Sequence, residues 1–545
     1  SHLLRGGSVR ARFVRLGGRR LDPLVNLPSS LKGCEDAICY LLGVDDAGMV
    51  KIDFLALGAL SQMQEAVSLI AARDGKRVDL SRIDFEDPVV YRMLHEADTI
   101  GIFQVESAAQ MQTIVRLLPK DLVDMAHEVA CVRPGVGVHN GVSKYLARRA
   151  GKAPDEYDHP LERRALERTH GVILFQDQVN AVCMDVAGFT AGEADQLRRA
   201  FTKRRNREIL AQYWQKFRDG AAGKGVPLQA AQAIFRKFNG EYMFPEAHAF
   251  AFGVTAYQAS WLKRYYPLEF YVGLFNEQPM GFWNPETLKE DAKRHEVPIL
   301  NPDVNRSLTK CIPDGDALRL GFLYVDGIGG SVAQRIVQVR GERPFDGVAD
   351  FMERTGLVQR GVENLVDAGA FDALNPDRRA VLQEVGLRYR PVQGQFALGF
   401  DVSPDFLDVP AQTPWERMEA EYRAMGIHPE GHVMAHLRRR LGEGVLPSNA
   451  LRKFPEGAAV TTAGLVVRRQ HPVSHAIFLT IEDEFGHTPL VVWPDVYQRF
   501  KLHLKEPFIT ITGTVSRREG TFNVVVQRAR ALRALAKPPR SKDWG

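Results

Sequence analysis

A change of hydrophobic period divides this chain more sharply than any single motif. From about Asp84 to Gly281 apolar residues recur at helical spacing, broken at Arg133-Pro134-Gly135 and Gly240. Beyond Ala459 they alternate in short runs instead. No single bundle or sheet satisfies both periods, so separate domains are required. The 545 residues agree, since one hydrophobic core stops growing at roughly 250–300 residues.

The alternating runs Val460–Arg468, His475–Ile481, Pro489–Trp493, Phe508–Arg517 and Thr521–Ala529 predict five strands closing into a small barrel of the OB kind. A Pro, Gly and Gln-rich stretch, Pro391–Pro414, separates the barrel from helical text, and Lys537–Gly545 reads as a tail. Upstream, Val325-Asp-Gly327-Ile328-Gly329-Gly330 has the form of a helix-hairpin-helix turn, and residues 321–370 hold room for two such units. Glycine there lets backbone N–H groups approach a phosphate at the start of the next helix. Asp314-Gly315-Asp316 reads as a hairpin turn rather than a metal pair.

The longest nearly uncharged apolar stretch, around Ala249–Tyr257, is far short of the ~20 residues of a membrane span. Ser1–Asp22 carries six arginines without the apolar run of a secretory signal. Cys34, Cys39, Cys131, Cys183 and Cys311 include no C-x-x-C, so no disulfide framework or zinc ribbon is indicated, and a reducing cytoplasm is the expected setting. The formal charge of +5 is too mild to identify a partner, and the placing of the basic residues matters more.

Six of the ten residues from Arg198 to Arg207 are basic. On a helix Arg198, Arg199 and Lys203 fall near one face, a pattern that suits either a solvated surface or a grip on a polyanion. Lys51 and Asp53 leave one face of a short strand run, Val50–Leu55, which then meets a helical pattern to Ala72. A surface ion pair and a metal-holding carboxylate beside a phosphate-binding lysine look alike at that spacing. His248 sits among small and aromatic residues, as core histidines also do. Phe478, Trp493 and Phe522 either stack bases or fill the barrel.

Taken in order, these segments resemble the C-terminal half of bacterial C-family DNA polymerases, the polymerase III alpha-subunit family. Val50–Leu55 resembles its last palm strand, Gly101-Ile-Phe-Gln-Val-Glu-Ser107 the opening of the fingers, and Arg133-Pro134-Gly135 its Arg-Pro-Gly loop. Gly171–Gln178, Leu197-Arg198-Arg199-Ala200 with Lys203, Tyr257-Gln258 with Trp261-Leu262-Lys263, the hairpin region and Phe478–Gly486 continue the likeness from about Gly43 onward. Phe244-Pro245-Glu246-Ala247-His248 is similar to the error-prone, damage-induced branch, where replicative members carry Asn-Lys-Ser-His.

The resemblance implies a multidomain α+β chain. Its parts would be an unassigned basic segment (1–40), a remnant of a Pol beta-like nucleotidyltransferase palm (41–83), a large helical fingers domain (84–297), a tandem helix-hairpin-helix domain (298–390), a linker (391–455), an OB-fold barrel (456–535) and the tail (536–545). It also implies nucleotidyl transfer with two Mg²⁺ ions, Asp53 being one of three metal-holding carboxylates. Lys51, Arg133, Arg198, Arg199, Lys203 and His248 would hold the incoming nucleotide. Lys263, Arg264, Gly327, Gly329, Arg335, Phe478, Trp493 and Phe522 would meet primer-template DNA. Glu246 would add negative charge near the triphosphate and relax selection.

The paired palm aspartates of the family have no counterpart here, so the chain alone is expected not to polymerise and a separately encoded N-terminal half is an implied partner. The competing expectation is a non-catalytic DNA-binding scaffold. Gln395-Phe-Ala-Leu398-Gly-Phe400 loosely fits a sliding-clamp peptide. Inactive Y-family-like and RecA-like mutagenesis proteins are the other implied associates, in a cytoplasmic, nucleoid-associated setting without a membrane.

Overall fold

The computed structural model describes residues 43–44, 50–51, 58–132, 141–202, 207–238, 245–388, 410–470, 476–517, 521–532, 534, 539 and 541–544. The chain separates into two compact units, Ser1–Ser61 and Gln62–Gly545. In the first, Gly43–Val44 pairs antiparallel with Val50–Lys51, with Val44 opposite Val50. The expected strand therefore has its start among the described residues.

The second unit opens with helices whose ends are written in the sequence. Asp87 accepts from the N–H of Val89 ahead of Pro88–His95, where proline takes the first helical position. Ser107 and Gln110 cap each other's backbone at Ala108–Leu117, the reciprocal pattern that satisfies two donors at once. The longest helix, Glu246–Tyr265, crosses Leu122–Cys131 so closely that a Cβ on Gly253 would lie 3.1 Å from the Ala126 nitrogen. Glycine at that crossing lets the two backbones come close without crowding. One core joins these helices through Ala126, Val129, Tyr145, Phe175 and Ala249. A second holds Val182, Leu197, Phe217, Ile234 and Phe238.

A small sheet follows, with Ala317–Arg319 between a parallel neighbour, Ile299–Leu300, and an antiparallel one, Ile312–Asp314. Asp314 faces Ala317 across the turn and Gly315 has a φ of +63°, so the hairpin reading of Asp314–Asp316 holds. Helices Gly330–Arg340, Val348–Thr355, Gln359–Asp367 and Arg378–Arg388 then pack around Phe322, Ile328, Phe351, Val362, Leu365 and Phe371.

Five strands close the C-terminal barrel: Ala459–Gln470, Ile477–Asp483, Gly486–Val492, Phe508–Ser516 and Asn523–Ala531. Closure comes from Ala459–Leu465 pairing with Phe508–Thr514, while Gly486–Val492 runs parallel to Asn523–Ala531. Val466, Leu479, Ile481, Leu490, Ile511 and Val524 point inward, the period-2 pattern of the sequence. The C-terminal residues differ from the expected tail. Lys542–Trp544 pairs in parallel with Arg468–Gln470, which lie beyond the Leu465–Phe508 end of the closing pair and so leave an edge to cover.

Buried charges join these parts. Pro285–Arg294 is among the most polar helical segments, yet its residues from Glu286 to Ala292 are all buried. The Lys289 ammonium, fully buried, lies 2.7 Å from carboxylates of both Glu286 and Glu290 and donates to the His428 carbonyl at 2.9 Å. Thr287 donates at 2.7 Å to Glu482 of the barrel, and Trp283 stacks on His487 at 5.0 Å. Burial alone would raise the Glu482 pKa, but His487, His432 and Arg294 outweigh it and bring it down to about 2.

One expected DNA contact is corrected here. Lys263 is fully buried on Glu246–Tyr265, its ammonium 2.8 Å from both Asp98 and Asp291 and donating to the Ile100 carbonyl at 3.0 Å. Burial by itself would lower its pKa, yet Asp291 and Asp98 hold it above the usual range. An ammonium enclosed by two carboxylates is not available to a phosphate.

Two outcomes follow from these pairs. Lys263→Met should destabilise the chain by about 3 kcal/mol by removing the ammonium between buried Asp291 and half-buried Asp98, which keep only Tyr271 and His295 close by, while the salt dependence of DNA binding stays as in wild type. Denaturant melts and salt titrations read the two quantities, and lost DNA affinity without lost stability would contradict the burial argument. Glu482 has a folded pKa below its ordinary 4.5, so its stabilisation is complete above about 4.5 and lost as pH falls toward 2. Acid titration by circular dichroism should show that loss in wild type and a flatter profile in Glu482→Gln.

Candidate nucleotide and nucleic-acid site

Of the expected palm and loop residues, Asp53, Arg133 and Lys203 lie outside the described residues, as does the segment 395–400. Lys51 closes the Val50–Lys51 strand. Arg199 belongs to helix Ala191–Thr202.

On the same helix the Arg198 guanidinium is fixed from two sides. Its Nε and Nη2 donate to Asp195 Oδ1 at 3.0 and 2.7 Å, and its Nη1 donates to Gln176 Oε1 at 2.9 Å. A planar group held through three donors has its direction set before any ligand arrives. His248 is exposed near the start of Glu246–Tyr265, its ring meeting Phe252 edge-on at 4.1 Å. Pro245 takes the cap position without a side-chain acceptor, and the Glu246 N–H is instead capped from another helix by Asp177 Oδ2 at 2.8 Å. Gln176 and Asp177 are therefore consecutive residues reaching the two elements that carry Arg198 and His248. The sequence pointed to neither, because each is an ordinary first-turn polar residue of helix Gln176–Ala187.

The expectation for Glu246 also changes. Its carboxylate is held by both Nη atoms of Arg168, with Nη2 to Oε2 at 2.5 Å, and the guanidinium lies 5.9 Å over the Phe175 ring. A carboxylate so paired presents little net charge to a neighbouring anion.

Arg264, next to buried Lys263, is exposed and lies 6.0 Å over the Tyr265 ring. Farther along the chain, Gly327 has a φ of +81°, and Gly329, with open space where a Cβ would sit, precedes Gly330–Arg340. Both glycines and Arg335, on that helix, are exposed. A glycine turn of this kind leaves backbone N–H groups open at the start of a helix.

On the barrel, Phe478 pairs in register with Val491 and is flanked by inward Ile477 and Leu479, so alternation turns it outward with 37% exposure. Trp493 follows inward Val492 and is 51% exposed. Phe522 differs from these two. It packs against the barrel core with Arg452 at 5.9 Å and Arg517 at 5.5 Å over its ring, so it fills the barrel end.

Among the described residues, Asp98, Asp291 and His295 bring three potential ligand atoms together. Lys263 already bridges the two carboxylates, and Tyr271 donates to Asp291 at 2.6 Å. That donor set suits an internal ammonium, not a catalytic metal pair. Cys131, Cys183 and Cys311 are free and buried. Among the described residues no helix is long and apolar enough to cross a membrane.

Residues 59–225 match the bacterial DNA polymerase III alpha subunit finger domain, residues 296–381 the helix-hairpin-helix motif, and residues 460–532 the OB-fold nucleic acid binding domain. The chain is 37% identical over 515 residues to an error-prone DNA polymerase of Nocardia farcinica, covering 91% of this chain and 45% of that protein. The corresponding enzyme of Mycolicibacterium paratuberculosis is 38% identical over 507 residues, covering 91% and 46%. That of Methylococcus capsulatus is 36% identical over 514 residues, covering 89% and 49%. The chain thus spans about half the length of these relatives. Among solved structures, an asparaginyl-tRNA synthetase from Pyrococcus horikoshii shares 27% identity over 15% of this chain and 21% of its own, with a TM-score of 0.13. Fingers, hairpin helices and barrel stand here in the order expected from the residues, and the chain carries the finger domain of the bacterial DNA polymerase III alpha subunit and is similar over nine-tenths of its length to error-prone DNA polymerases.

Proposed function

We propose that this chain supplies the fingers, duplex-binding and single-strand-binding parts of an error-prone polymerase acting in damage-induced translesion synthesis. The observation that carries the reading is that consecutive residues Gln176 and Asp177 bond Arg198 and the start of the helix that holds His248, in a chain similar over nine-tenths of its length to error-prone DNA polymerases. Arg198 and Arg199 would hold the incoming triphosphate with Lys203, His248, Lys51 and Arg133. Guanidinium forks suit phosphate oxygens and gain strength where water is excluded.

Asp53 is the one metal-holding carboxylate this chain would bring, and bound Mg²⁺ would supply charge to the primer hydroxyl and the departing pyrophosphate. A complete two-metal set would draw its other carboxylates from a further palm segment. Gly327 and Gly329 would present backbone N–H groups to duplex phosphates, with Arg335 and Arg264 adding charge without reading sequence. Phe478 and Trp493 would stack unpaired template bases on the barrel face. The setting proposed is cytoplasmic and near the nucleoid, with inactive Y-family-like and RecA-like proteins as partners. The segment 395–400 is a candidate clamp contact.

Mixing the chain with a polypeptide carrying the remaining palm should restore Mg²⁺-dependent primer extension that Asp53→Asn abolishes. DNA binding with no Asp53-dependent extension would contradict the catalytic reading and favour a binding module. In oligodeoxynucleotide titrations, Phe478→Ala and Trp493→Ala should each cost about 1–3 kcal/mol of affinity. Arg335→Ala should reduce the slope of log affinity against log salt by about one. Single-strand affinity unchanged by both aromatic truncations would remove the barrel face from the site.

A further inference from the structure

We infer that Gln176 and Asp177 are positioning residues that fix Arg198 and His248 relative to each other, so that this dipeptide, and not the charge of Glu246, sets how the fingers select a triphosphate. The inference rests on the triphosphate reading given above. Consecutive residues on a helix point about 100° apart, so one can serve each of two neighbouring elements. Gln176 Oε1 accepts from Arg198 Nη1 at 2.9 Å, and Asp177 Oδ2 accepts from the Glu246 N–H at 2.8 Å, two residues before His248.

Each bond holds a group on an element expected to meet the nucleotide. The Glu246 N–H is one of the donors that a helix start leaves without an internal partner, and Pro245 offers no side chain to cap it. Arg198 is held in its plane by Asp195, and Gln176 accepts from its Nη1 edge. Arg168 completes the bracket by holding the Glu246 carboxylate. Segment 168–177 therefore holds Arg198 directly and, through Glu246, the start of the helix that carries His248.

Neither residue carries the fold. Asp177 is exposed and Gln176 half-buried, so both tolerate substitution without opening a core. A purely structural role would show in stability, whereas a positioning role shows in ligand affinity with stability unchanged.

Titration of the chain with a fluorescent deoxyadenosine triphosphate in Mg²⁺ tests this. Gln176→Met, which keeps size but loses the acceptor, and Asp177→Ala should each weaken binding about tenfold. Asp177→Asn, which retains an acceptor oxygen for the Glu246 N–H, should stay within about threefold of wild type. Thermal melts should coincide with wild type for Gln176→Met and Asp177→Asn, and Asp177→Ala should fall only by what the loss of one helix cap removes. Hydrogen exchange across residues 246–252 should rise in Asp177→Ala and not in Asp177→Asn. Wild-type affinity in both Gln176→Met and Asp177→Ala, or exchange unaltered by Asp177→Ala, overturns the inference and leaves the triphosphate reading standing. Absence of binding by wild type overturns that reading and the inference with it.

Discussion

The enclosure of a lysine, Lys289, between Glu286 and Glu290 on one short helix is the constraint on which the second unit depends. Charges taken out of water cost several kcal/mol each unless matched. Here Glu286 also accepts from Tyr422 at 2.6 Å and from the His428 N–H at 3.2 Å, while Lys289 reaches the carbonyls of His428 and Gly431. Thr287 extends the set to barrel residue Glu482, and Asp291 extends it to Lys263 in the fingers. The charges of Lys289, Glu286 and Glu290 are matched within the helix, and their remaining hydrogen bonds reach other elements, so removing one of those elements leaves a buried polar group unsatisfied. Hydrophobic contacts alone would let the parts slide, whereas matched charges admit one register.

That register matters for the proposed chemistry because a polymerase must hold duplex, template strand and nucleotide at once. Arg198 and His248 belong to fingers helices, Gly327 and Arg335 to the hairpin region, Phe478 and Trp493 to the barrel. The fingers residues are further tied by the Gln176–Asp177 pair. Selection at such a site depends on geometry held before the ligand arrives more than on the charge of any one residue. The Arg168–Glu246 pair illustrates the point, since an acid expected to repel phosphate is instead part of the scaffold.

Much of the architecture was legible because it depends on period and turn chemistry. Five alternating runs became five barrel strands, Gly327 took the left-handed conformation of the predicted turn, and Asp314–Asp316 formed a hairpin. What escaped depends on partners distant in sequence. The burial of Pro285–Arg294 has no local signal, since six of its ten residues are charged and Tyr422, His428 and Glu482, which bond it, lie far along the chain. Lys263 and Arg264 read as one basic pair, but adjacent helix positions face different ways, and the first meets Asp98 and Asp291 while the second meets solvent. The aromatic residues of the barrel divided similarly, two outward and Phe522 against the core. Lys542–Trp544 could not be foretold as a strand because its pairing edge is set by the barrel's own closure.

Scanning calorimetry of the intact chain and of Lys289→Met tests the weld most directly. The account predicts that fingers and barrel of the wild type unfold in one cooperative transition and that the substitution splits it in two. Two independent transitions in the wild type, or a single unaltered transition in the variant, would contradict it.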